Sequence, residues 1–179
     1  HGFCTLGPSV DTARAAVDSA RIVIAEINRQ MPRTHGNALV PLSRLSAFTI
    51  TDRPLHEHAP DTENPVTAQI GELIADLVDD GATLQMGIGA IPDAVLARLF
   101  GKHDLGVPTG MFSGRLVALV EAGVLTNRFK PTQTGRISTS FVTGTRRLFD
   151  FINDNPLVHF HGCDWTNDTS VIRKNPKVV

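Results

Sequence analysis

Apolar and polar positions along the chain switch repeatedly between a helical and an extended period. Val10, Ala13, Ala16, Val17 and Ala20 recur at helical spacing, and IVIAEI at 22–27 follows as a β-branched run that predicts a buried strand. LSAFTIT at 45–51 predicts another strand. DRPLHEHAPDTEN at 52–64 then loses all apolar period and carries two prolines, which makes it a linker. Beyond it, Asn64 is a suitable N-cap and Pro65 suits the first helical position. Val66, Ile70, Leu73, Ile74, Leu77 and Val78 continue as one helical stripe, and Gly81 marks its stop. ATLQMGIG at 82–89 predicts a strand, PDAVLARLF at 92–100 a helix, DLGV at 104–107 a strand stub, and LVALVEAGV a helix. RISTSFVTG, TRRLFDFIND and LVHFHG continue the alternation as strand, helix and strand. Alternating strands and helices imply βαβ units, a parallel sheet and an α/β fold.

Composition narrows the partners rather than the fold. Hydrophobic residues make up 41% of the 179 positions, as in an ordinary globular chain. Seventeen basic residues against eighteen acidic ones give a net charge of −1, so no nucleic-acid partner is expected. No apolar run reaches the roughly 20 residues that span a bilayer, and no signal peptide is visible, so no membrane partner is expected. The two cysteines lack CxxC spacing, which points to a reducing, cytoplasmic setting. The chain begins HGFCTLG and ends KVV, and both ends read as cut from something longer.

Candidate chemistry concentrates in a few turns. In GIGAIP at 87–92, Gly87 and Gly89 let the backbone leave a strand tightly, and Ile88 and Ala90 lie between them and Pro92. Free N–H groups at such a helix start suit an anion or a developing oxyanion. A dinucleotide fingerprint fits poorly, because Pro92 stands where a third glycine belongs. Arg33, Thr34 and His35 in MPRTHG could hold a carboxylate or phosphate, or form a plain polar loop. His56 and His58 lie in the linker and read as solvated. His159, His161 and Cys163 alternate, so they could share one face and a metal, but no further ligand can be assigned and no metal is expected. The turn GVPTGMFSG at 106–114 sits where an α/β protein mounts chemistry, yet it offers no strong acid, base or nucleophile.

Several separated stretches resemble one family. CTLGPSVD, MPRTHG, LQMGIGAIPDAVL, MFS…LVEAGVLTN, FVTGTRRLFDF and the final NP are similar, in order and spacing, to the acetyl-CoA hydrolase/transferase family. That family includes acetate, butyrate and 4-hydroxybutyrate CoA-transferases. The resemblance implies CoA-transferase-type, three-layer-like α/β domains. Residues 1–51 would end an N-terminal domain, 52–64 link, and 65–179 start a C-terminal domain. The chain would be the middle of a protein more than twice its length.

The resemblance also implies a ping-pong reaction with coenzyme A as a substrate. A glutamate carboxylate attacks a short-chain acyl-CoA thioester and forms an acyl-glutamyl anhydride. The CoA thiolate returns to give a glutamyl-CoA thioester, and a second carboxylate takes the CoA. The family's glutamate stands in a context like TEMFSDG, whereas this chain reads TGMFSGR. Thr109, Met111, Phe112 and Ser113 match, and Gly110 falls at the glutamate's position. Glu121, about two helical turns later, is too far to replace it. By the same resemblance, Gly87, Ile88, Gly89, Ala90 and Pro92 line the acyl-thioester pocket with Met111, Phe112 and Ser113, and Arg33 and His35 face the cleft. The family commonly forms dimers, so a homodimer is the assembly it suggests. Two further classes stay open: a non-catalytic remnant that binds acyl-CoA or a subunit, and a metal-dependent hydrolase using His159 and His161.

Overall fold

A computed structural model describes residues 2–179. In chain order the elements are β1 (Phe3–Thr5), α1 (Ala13–Ser19), β2 (Ile24–Asn28), β3 (His35–Gly36), β4 (Leu39–Pro41), β5 (Ala47–Thr51), α2 (Pro65–Asp76), α3 (Ala90–Leu96), β6 (Met111–Phe112), α4 (Gly114–Glu121), β7 (Ile137–Thr139), β8 (Phe141–Val142), α5 (Arg146–Ile152) and β9 (Val158–Phe160). Two four-residue helices, α6 (Cys163–Thr166) and α7 (Thr169–Ile172), follow.

The helix after the linker forms where capping chemistry demands it. Asn64 accepts from the N–H groups of Val66 and Thr67, and Thr67 Oγ1 lies 3.0 Å from the Asn64 N–H, which closes a capping box. α3 starts at Ala90, two residues before the expected Pro92, because first-turn N–H groups have no helical partner and proline costs nothing there. α1 is shorter than its apolar period, since Asp11 sits at φ 31° before it.

Pairing is mostly parallel, as the alternation predicts. β3 pairs β9 with His35 opposite His159, β9 pairs β7 with Val158 opposite Ile137, and β2 pairs β5. Single parallel bridges extend the array: Pro108 with Ser138, and Thr83 with both Gly106 and Val178. The expected strands at 82–89 and 104–107 are therefore present as bridge partners, not as continuous ladders, and Gly87–Gly89 has already left the sheet. RISTSFVTG divides into β7 and β8, because Ser140 between them turns its N–H to the carbonyl of Gly110.

The early residues enter this array directly. Val10 is fully buried and donates to Ser140 O at 3.0 Å, and Val142 donates to Pro8 O at 2.8 Å. The core lies between the strands and helices α3 to α5, with Leu84, Leu105, Phe112, Leu116, Ile152 and Phe160 among its buried members. Among the described residues, no helix is long and apolar enough to cross a membrane.

Candidate functional site

Two strand-to-helix turns meet at the C-terminal ends of the parallel strands, where open α/β sheets bind ligands. Thr109 is fully buried, and its Oγ1 donates to Met86 O at 2.6 Å, so the strand before Gly110 is tied to the strand before GIGAIP. Gly89 takes φ 110°, a conformation that a side chain strongly disfavours, and this lets α3 begin immediately. Gly87 and Ile88 stay exposed.

Gly110 is held by its carbonyl, which accepts from the N–H groups of Ser140 and Phe141 and from the Ser140 hydroxyl. Its φ lies outside the left-handed region. A Cβ added there meets Asn167 Oδ1 at 3.0 Å, with the next neighbours at 3.9 Å. Met111 and Phe112 then pair with Phe141 and Val142, and Phe112 stacks on Phe151 with ring centroids 6.0 Å apart. Below the turn, Lys130 clamps the strand to β7. Its Nζ donates to Val107 O (3.1 Å), Arg136 O (2.6 Å) and Ser138 Oγ (3.1 Å), and burial pushes its pKa down to about 7.

A cavity of about 110 Å³ opens between these turns and the linker. Ile88, Gly89 and Ser113 line it, together with Asp93, Arg115 and Thr143–Thr145, and the linker residues His58 and Asp61 close one side. The linker is fixed there: His58 donates its N–H to Gly144 O at 2.9 Å, and Glu57 accepts from the Arg146 N–H at 2.7 Å. Burial raises the Asp93 carboxyl above the usual carboxylate range, and a hydrogen bond from Ser113 Oγ (3.2 Å) opposes that rise.

The remaining predicted residues sit elsewhere. Arg33 and His35 do not line this cavity; they approach Asp154 at 3.7 and 3.0 Å, at the N-terminal end of β3 and β9. His159 Nε2 accepts from Arg136 at 3.0 Å, and His161 stacks on Trp165 at 4.1 Å. Burial, then the neighbouring His159 and Lys130, lowers the His161 pKa to about 4. Among the described residues, no three His, Cys, Asp or Glu side chains form a group that could hold a metal ion. The sequence reading passed over Asp93, although it directly follows Pro92; His58 is exposed, as expected of a linker residue, although its backbone docks on Gly144. Asn167 carries no local signal, because only the tertiary fold brings it to Gly110.

The N-terminal domain model of the acetyl-CoA hydrolase/transferase family matches residues 1–60, and its C-terminal domain model matches residues 144–179. The chain belongs to the acetyl-CoA hydrolase/transferase family. It is 48% identical over 180 residues to a succinyl-CoA:acetate/propanoyl-CoA:succinate CoA transferase of Fasciola hepatica, covering 100% of this chain and 38% of that protein. It is 43% identical to the 4-hydroxybutyrate coenzyme A transferase of Clostridium kluyveri, covering 100% and 42%. Among solved structures, it is similar to RipA from Yersinia pestis (37% identity, TM-score 0.95, 99% of this chain and 42% of that one). A 4-hydroxybutyrate CoA-transferase from Porphyromonas gingivalis matches at 37% identity and TM-score 0.95, over 99% and 45%. The chain spans about two fifths of the length of these curated relatives.

Proposed function

We propose that the chain is part of a CoA-transferase that moves CoA between a short-chain acyl-CoA and an acetate-type carboxylate, and that position 110 is where the family's glutamyl-CoA forms. The observation that carries this reading is the joining of the two turns. Thr109 ties the strand before Gly110 to the one before GIGAIP, and the cavity opens beside both. In this reading the backbone of Gly87–Gly89 faces the thioester carbonyl, where its N–H groups would stabilise a developing oxyanion. Glycine at 110 supplies no carboxylate to attack, so this chain alone binds acyl-CoA without transferring CoA. The binding-without-turnover alternative is favoured by that same glycine.

The test combines calorimetry with acetyl-CoA and trapping of covalent CoA by borohydride or hydroxylamine. Binding without a trapped adduct is the expected result. A trapped adduct on the unaltered protein would refute the role given to Gly110, and lack of binding would remove the acyl-CoA reading.

A further inference from the structure

The cavity between the linker and the two turns holds an unbalanced set of charges. Asp93 and Asp61 bring two carboxylates, Arg115 brings one guanidinium, and His58 is the remaining titratable group lining it. Asp93 is the buried one, at 9% exposure. Ser113 stands at the N-cap of α4, but its hydroxyl makes no cap bond and donates to Asp93 Oδ1 instead. Burial already favours the protonated carboxyl, Asp61 adds to that, and Ser113 and Arg115 oppose it. The volume of about 110 Å³ is several times the roughly 30 Å³ that one water takes in the liquid, enough for a small carboxylate. An entering carboxylate adds a third negative charge beside one guanidinium. Carboxylates sharing such a site do not all stay ionised.

We propose that Asp93 takes up a proton when a small carboxylate enters this cavity and donates it as a hydrogen bond to the ligand, so that carboxylate binding is coupled to proton uptake. The inference rests on the carboxylate-accepting reading above and assigns that step to one residue. The proton comes from solvent and stays on the Asp93 carboxyl, and no bond of the ligand changes.

Sodium acetate titrated by calorimetry, in two buffers of different ionisation enthalpy between pH 5.5 and 8, measures the linked protons. The wild-type chain should take up as much as about one proton per acetate and bind more tightly as pH falls. Asp93→Asn should lose that uptake and bind acetate about tenfold more tightly at pH 8. Ser113→Ala removes a donor from the ionised carboxylate, so its pH dependence should move upward, which keeps the test alive if Asp93→Asn fails to fold. Equal uptake in Asp93→Asn would assign the proton to another group, such as His58, and overturn the proposal. Affinity independent of pH in the wild type, or no acetate binding, would also overturn it. A parallel titration with acetyl-CoA distinguishes this failure from failure of the family function.

Discussion

Lys130→Met removes the amino group of a residue that is only 2% exposed and replaces it with an apolar side chain of similar length. The folded protein holds this lysine at a pKa of about 7, against 10.5 for the free group. Between those values the unfolded chain binds more protons than the folded one, so stability must rise with pH. The slope for one such group approaches about 1.4 kcal/mol per pH unit. From pH 7 to 8.5 the wild type should therefore gain roughly 1–2 kcal/mol. The window stops there because the Cys4 and Cys163 thiols, both raised chiefly by burial, act in the opposite direction at higher pH. Lys130→Met should lose this gain and should be less stable throughout. It leaves Arg136 O and Ser138 Oγ without that donor and Val107 O with only the Ser138 N–H at 3.2 Å, at about 1–3 kcal/mol for a buried group left unpaired. Urea denaturation at pH 7.0, 7.75 and 8.5 reads both effects as shifts in midpoint. A wild-type midpoint that stays flat or falls over that window, or an unchanged slope in Lys130→Met, would refute the reasoning.

Two other predictions concern stability. His161 has its pKa lowered to about 4, so the folded state binds fewer protons than the unfolded state between pH 4 and 6.5, and stability drains away as pH falls through that window. His161→Phe keeps a ring against Trp165 and should flatten acid denaturation measured by circular dichroism over that range. Asn64→Ala removes the cap of α2 and should cost about 1 kcal/mol in urea titrations, with no effect on acetyl-CoA affinity.

What the sequence makes legible is what local physics controls. Asn64, Pro65 and the stripe behind them specify α2 without help from the rest of the chain. The glycines of GIGAIP announce a tight turn because only a residue without a side chain readily takes φ 110° at position 89. Helix starts and strand lengths are less legible. Pro92 marks the first turn of α3 but not its first residue, and 82–86 pairs through bridges set by distant partners such as Val178. The candidate site divides in the same way. Its two turns can be read from the chain. The contact of Asn167 with Gly110, the Asp93–Ser113 hydrogen bond and the docking of His58 on Gly144 join residues between 20 and 86 positions apart, so no local pattern encodes them. MPRTHG shows the converse: its polar residues are visible in sequence, but the parallel pairing of β3 with β9 brings Arg33 and His35 to Asp154.

The most direct test of the central claim restores a carboxylate at position 110. Gly110→Glu is sterically accessible, because its φ is ordinary and the added Cβ approaches only the tip of the exposed Asn167 side chain within 3.4 Å. Both proteins are incubated with acetyl-CoA, reduced with borohydride or treated with hydroxylamine, and read by intact mass and peptide mapping. The account predicts a CoA-dependent modification at residue 110 in the variant and none in the unaltered chain. A modification on the unaltered chain, or an equal lack of one when both proteins bind acetyl-CoA, would contradict it.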